Sequence, residues 1–178
     1  MTLDPVIGWI LALSLALLLG DAAGHKLRDP ARFRSALAGY RLMPEALAVP
    51  AGLGIIAAEL LAAVLLVLPS RRAEGAAMAA ALMGAYALAI GVNLLRGRTR
   101  IDCGCRGFGR TERIAWWMVA RNAVLAAAGL GAMLPSATRG LTALDAVTVG
   151  GTVLTAALLY ETLGRLASLP SLSGRGTA

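Results

Sequence analysis

Two thiols separated by one glycine, Cys103-Gly104-Cys105, lie in the stretch Arg100-Ile101-Asp102-Cys103-Gly104-Cys105-Arg106-Gly107-Phe108-Gly109-Arg110. Gly104 permits backbone dihedrals that other residues resist, so the two sulfurs can reach bonding distance and close a small, strained, easily reduced ring. Arg100, Arg106 and Arg110 favour thiolate over thiol, the form that attacks a partner disulfide, while Asp102 acts in the opposite electrical sense. Such a pair suits thiol–disulfide exchange with another protein. The alternatives are a structural disulfide or idle thiols, and a metal site. Structural zinc usually takes four protein ligands, whereas this chain has two cysteines and a single histidine, His25, in another loop. No metal is expected.

Charged residues inside apolar segments are the second candidates. Glu59 falls near the middle of one such segment and Arg121 about a turn and a half into another. Either one facing hydrocarbon would cost several kcal/mol, so both are expected to face the bundle interior, an aqueous cavity or each other. A structural ion pair or a snorkelled arginine competes here with a quinone, proton or substrate role. Asp21 and His25 are one helical turn apart, with Lys26 beside them, and can face one another. Interfacial hydrogen bonding and lipid anchoring compete with proton relay to a quinone headgroup. A quinone is therefore the one candidate cofactor. Asn93 can tie helices together or orient the cysteine segment.

The elements that must position these residues are helices in a membrane. Of 178 residues, 58% are hydrophobic and only 15% charged, against about 25% charged in an ordinary soluble domain. Ala and Leu supply the apolar bulk, which favours helix over strand. The expected fold is all-α, a polytopic membrane helical bundle. The net charge of +7 does not indicate nucleic acid as a partner, because the basic residues collect in short stretches between long apolar segments, where anionic lipid headgroups explain them.

Five spans are expected, at about residues 5–24, 46–68, 75–95, 114–134 and 144–163, within a single domain covering residues 1–169. The third is the plainest: 21 residues without a charge, enough to cross ~30 Å of hydrocarbon. The first is read as a retained helix and not a signal peptide, because Asp4 and no Lys or Arg precede it. A turn is expected from Gly24, with Asp29 capping and Pro30 opening a short interfacial helix whose apolar side holds Phe33, Ala36, Leu37 and Tyr40. Residues 170–178, rich in Ser and Gly, form an expected flexible tail. Small residues at Ala80, Gly84, Ala87 and Gly91, and at Ala127 and Gly131, are expected to mark helix contacts.

Orientation follows from the loops. Residues 26–41 hold five basic residues and residues 96–113 hold six, against two at Arg71-Arg72 and one at Arg139. The positive-inside bias puts the two basic loops in the cytoplasm, the N-terminus outside and the C-terminus inside.

The chain resembles the methylamine utilisation MauE family, within the broader DoxX-like group of small membrane proteins. The resemblance runs through nearly the whole chain: the first span leading into Ala22 and Gly24-His25-Lys26-Leu27, the basic helix with Phe33 and Tyr40, the span carrying Glu59, and Asp102-Cys103-Gly104-Cys105 followed by Phe108-Gly109. The Cys-Gly-Cys segment after the third span is the most specific of these features. Arg106 and Gly107 stand where related proteins often read Cys-Phe-Gly more compactly, so the loop geometry is not carried over. The resemblance implies an accessory function, in the cell inner membrane, in producing methylamine dehydrogenase. That periplasmic enzyme's small (beta) subunit has many disulfides and a tryptophan-derived quinone. The implied partners are this subunit and a thioredoxin-like membrane-anchored protein, MauD, alongside membrane lipids. Cys103 and Cys105 would then pass electrons between the partner and a further acceptor or donor, with Asp102, Arg106, His25, Glu59 and Arg121 as supporting candidates. A noncatalytic scaffold for the partner and the unfolded subunit is the alternative, and a small-molecule transporter ranks third. One tension accompanies the implication: these disulfides form outside the cytoplasm, yet the charge bias puts the cysteines inside.

Overall fold

Asp4 and Asp29 open the first two helices. In the computed structural model, which describes residues 2–99, 101, 114–137 and 139–167, α1 runs Pro5–Arg28, with the Asp4 carboxylate accepting from the Val6 amide at 2.8 Å. Asp29 ends α1 and starts α2 (Pro30–Gly39), accepting from the Arg32 amide at 3.0 Å. The turn expected at Gly24 is absent, since α1 continues to Arg28. No breaker intervenes before Pro30, and His25, Lys26 and Arg28 suit the negative end of the helix dipole. Single 3₁₀ turns, Glu45–Leu47 and Pro69–Arg71, lead into α3 (Ala48–Val67) and α4 (Arg72–Leu95); α5 (Trp116–Ala132) and α6 (Ala143–Ala167) follow.

Among the described residues, four stretches are long and apolar enough to cross a membrane: Pro5–Arg28, Glu45–Val67, Pro69–Leu95 and Ala143–Leu163. The fourth expected span is α5, which has only 17 residues and so stands at the short end of the spanning range of about 17–25. It packs along α4.

Buried positions recur every three or four residues, as a helix with one inward stripe requires. Ala12, Leu15 and Leu19 of α1 meet Ala62 and Leu66 of α3 and Ala76, Ala79 and Met83 of α4, while Ala23 packs with Phe33 and Ile56. A second cluster, Tyr40, Ile90, Leu94, Ile114 and Met118, closes one end of the bundle. Outward leucines such as Leu53, Leu88, Leu154 and Leu163 stay exposed, which lipid tails accommodate and water would not.

Small residues do set the helix contacts, at Ala80 and Gly131 as expected but not at Gly84 or Gly91. A Cβ on Gly75 would lie 2.6 Å from the Leu66 backbone nitrogen, so α3 and α4 meet there almost backbone to backbone. A Cβ on Gly129 would lie 3.0 Å from Ala80. Gly84 and Gly91 face open space, because the inward face of α4 runs through Ala76, Ala79, Ala80, Met83 and Ile90.

The opposite end of the bundle is tied by Leu3, whose amide donates to the Pro135 carbonyl at 2.9 Å and whose carbonyl accepts from Ala137 at 2.8 Å. Beside it, Arg139 bridges Asp4 (3.0 Å) and Asp145 (2.9 Å). Arg72 donates to the Ser136 hydroxyl and stacks over Trp9.

Candidate functional site

Glu59 is fully buried on the inward stripe of α3, between Ile56 and Ala62. A carboxylate there needs partners, because burying an unpaired charge costs far more than a hydrogen bond returns. The partners are Lys26, whose Nζ is 2.5 Å from Oε1, and Tyr86, whose hydroxyl donates to the same oxygen at 2.6 Å. Lys26 is itself 5% exposed. Its ammonium lies 5.4 Å from the Phe33 ring centre and 5.5 Å from that of Tyr86, so two aromatic faces replace part of its lost hydration. Four elements, α1 to α4, thus meet at one ion pair.

Arg121 does not supply Glu59's charge partner. Its guanidinium lies 5.1 Å from the Trp117 ring centre and 5.6 Å from that of Tyr160, joining α5 to α6. His25 Nε2 is 3.3 Å from Asp21 Oδ1, with the histidine largely buried and the aspartate exposed. Asn122 caps nothing outside its own helix: its amide donates to the Met118 carbonyl at 2.9 Å.

These groups surround a cavity of about 600 Å³. Leu11, Ser14, Leu18, Asp21, Ala22 and His25 bring one stripe of α1 to it; Glu59, Met83 and Tyr86 come from α3 and α4; Arg121, Leu125, Tyr160 and Glu161 close the α5 and α6 side. One oxygen each of Ser14 and Glu59 (Oγ and Oε2) is buried without a hydrogen-bond partner among the described residues.

Asp102, Cys103, Cys105 and Arg106 lie outside the described residues. The attachment of their segment to the bundle is defined. α4 ends in a left-handed turn at Gly97 (φ 70°), with the Gly97 amide donating to the Leu94 carbonyl and the Arg98 amide to the Asn93 carbonyl, both at 2.9 Å. Only glycine takes this φ without a steric cost. Arg98 then turns back, donating to the Gly39 carbonyl at 2.9 Å, the Tyr40 carbonyl at 3.1 Å and the Asn93 side-chain oxygen at 3.0 Å. Its guanidinium thereby satisfies the free carbonyls at the end of α2, where a cation is favoured. The Ile114 amide donates to the Ile101 carbonyl at 3.1 Å, so the chain leaves and rejoins the bundle at one place. That place packs against Tyr40, Leu94 and Met118.

Lys26, Tyr86 and Arg98 were not singled out from sequence as parts of these networks. The first two carried a signal: Lys26 continues the α1 stripe Leu15, Leu19, Ala23, and Tyr86 follows Ala79 and Met83 on α4. Arg98 carried none, since it is one arginine among six in its loop.

A family model described as methylamine utilisation protein MauE matches residues 4–135. The chain is 44% identical over 172 residues to the methylamine utilization protein MauE of Paracoccus versutus, covering 94% of this chain and 91% of that one. It is 42% identical over 136 residues to its namesake in Methylorubrum extorquens, covering 75% and 73% of the two chains. The protein of that name in Methylophilus methylotrophus is 35% identical over 170 residues, covering 94% and 90%. No solved structure matches the chain.

Proposed function

The chain belongs to the MauE family, and from that membership we propose that it is an inner-membrane accessory protein of methylamine utilisation. Its task is to mature the small subunit of methylamine dehydrogenase by thiol–disulfide exchange through Cys103 and Cys105, with a thioredoxin-like protein, MauD, as partner. The observation that carries the reading is the extent of the family match, residues 4–135, which includes both cysteines, the Lys26–Glu59 pair and the Ile101–Ile114 attachment.

In the exchange, one cysteine thiolate attacks a sulfur of the partner's disulfide, forming a mixed disulfide and expelling a partner thiolate. The second cysteine then attacks its neighbour's sulfur and expels the other partner thiolate. Two electrons and two protons leave the chain, which becomes the disulfide, and the partner becomes the dithiol; the reverse sequence applies when the chain arrives oxidised. Arginines flanking the pair raise the thiolate fraction, and Gly104 lets the second sulfur reach the first.

The test is a strain lacking this protein, complemented with C103S/C105S and grown on methylamine. The reading expects a small subunit with incomplete disulfides, and a chain still present in the membrane at normal abundance. A fully oxidised subunit would reassign the protein to a noncatalytic scaffold.

A further inference from the structure

We propose that the cavity between α1, α5 and α6 binds a membrane quinone, with the ring at the Lys26–Glu59 end and the tail along the α1 stripe. The proposal goes beyond the thiol reading and stands without it. The cavity's volume of about 600 Å³ is that of a small-molecule site. Its α1 wall extends from Leu11 to Arg28, which at 1.5 Å per residue is ~26 Å, long enough for a ring with an isoprenoid tail. The wall is apolar through Leu11, Leu15, Leu18 and Leu125, interrupted only by Ser14, and its charged groups gather at one end.

Three features select the ligand class. First, the charges at the polar end balance: Asp21, Glu59 and Glu161 against Lys26, Arg28 and Arg121. An anionic lipid headgroup needs surplus cations, whereas a neutral ring with polar substituents does not. Second, Glu59 Oε2, on a cavity-lining residue at the polar end, is buried and lacks a partner among the described residues. A quinol hydroxyl donates to this carboxylate oxygen, which a purely apolar ligand would leave unpaired. Third, α5 packs on α4 and α6 on α1, leaving the cavity to fill the space between α5 and α6, toward the lipid in which such a molecule dissolves.

The full chain in lipid nanodiscs, titrated with decylubiquinone and with decylubiquinol and read by equilibrium partitioning, tests the site. One saturable site is expected. Ala157, at the cavity wall and exposed, accepts a larger side chain without disturbing the core, so A157W is expected to weaken binding at least tenfold at unchanged thermal stability. E59Q is expected to weaken quinol binding by ~10-fold, the loss of a charge-assisted hydrogen bond. C103S/C105S is expected to bind as the wild type does. The proposal is overturned if no saturable binding is seen, if A157W binds equally, if decanol or phosphatidylglycerol competes as well as the quinone, or if C103S/C105S abolishes binding.

Discussion

Lys26 and Glu59, one from the end of the first helix and one from the middle of the third, hold each other at 2.5 Å with almost no contact to the surroundings of the protein. The pair ties the last turn of α1 to the inward face of α3. Removing one partner leaves the other charge buried. K26A or E59A should therefore destabilise the protein by ~3–5 kcal/mol. The apolar double variant K26M/E59L should recover most of that loss, and Y86F should cost about 1 kcal/mol. Unfolding in mixed micelles by denaturing detergent measures all four; equal losses in single and double variants would contradict the pairing.

Helix contacts give a sharper contrast. Gly75→Ala drives a methyl into the Leu65–Leu66 backbone and should cost ~1–3 kcal/mol through overpacking. Gly84→Ala, which meets open space, should be neutral or stabilise by up to ~1 kcal/mol through helix propensity. Thermal midpoints of the two variants in the same detergent check this. The order of the two is the prediction.

Most of the architecture is legible from residue pattern alone. Long runs without charge, the Asp29-Pro30 helix start and the 3.6-residue spacing of Phe33, Ala36 and Tyr40 each have one local cause, and the structure follows them. What sequence could not fix is which charged residues meet. Glu59 was bound to find a cation or a cavity, but Lys26 is 33 residues away and looks like an interfacial anchor until α1 is seen to continue past Gly24. Of the small-residue stripe on α4, Ala80 does meet a neighbouring helix but Gly84 and Gly91 do not, because alanine is so frequent there that several registers look alike. Arg98 acts through backbone carbonyls of α2, contacts that side-chain patterns do not encode.

Acid should loosen the end of the bundle opposite the cysteine segment. The Arg139 guanidinium, and behind it the Val6 amide, hold the Asp4 carboxyl below its ordinary value of 3.8. A depressed carboxyl contributes stability above its unfolded value and loses it as the pH falls from there through the folded value. Because the group is exposed, the effect should be small. The thermal midpoint measured from about pH 5 to about pH 2 should fall less steeply in D4N than in the wild type; parallel curves would contradict the assignment.

Membrane orientation is open to direct measurement. The charge bias predicts that a membrane-impermeant maleimide leaves Cys103 and Cys105 unlabelled in intact spheroplasts and labels them after permeabilisation. Labelling of intact spheroplasts would reverse the orientation and put the pair on the outer face of the membrane.

The proposed exchange predicts a covalent species that can be trapped. A chain with one cysteine left, C103S or C105S, cannot resolve a mixed disulfide, so alkylation in acid followed by non-reducing electrophoresis should capture it bound to the thioredoxin-like protein, in a band that reductant dissolves and that C103S/C105S never forms. Absence of that band from both single variants, with the small subunit fully oxidised in the double variant, would contradict the account.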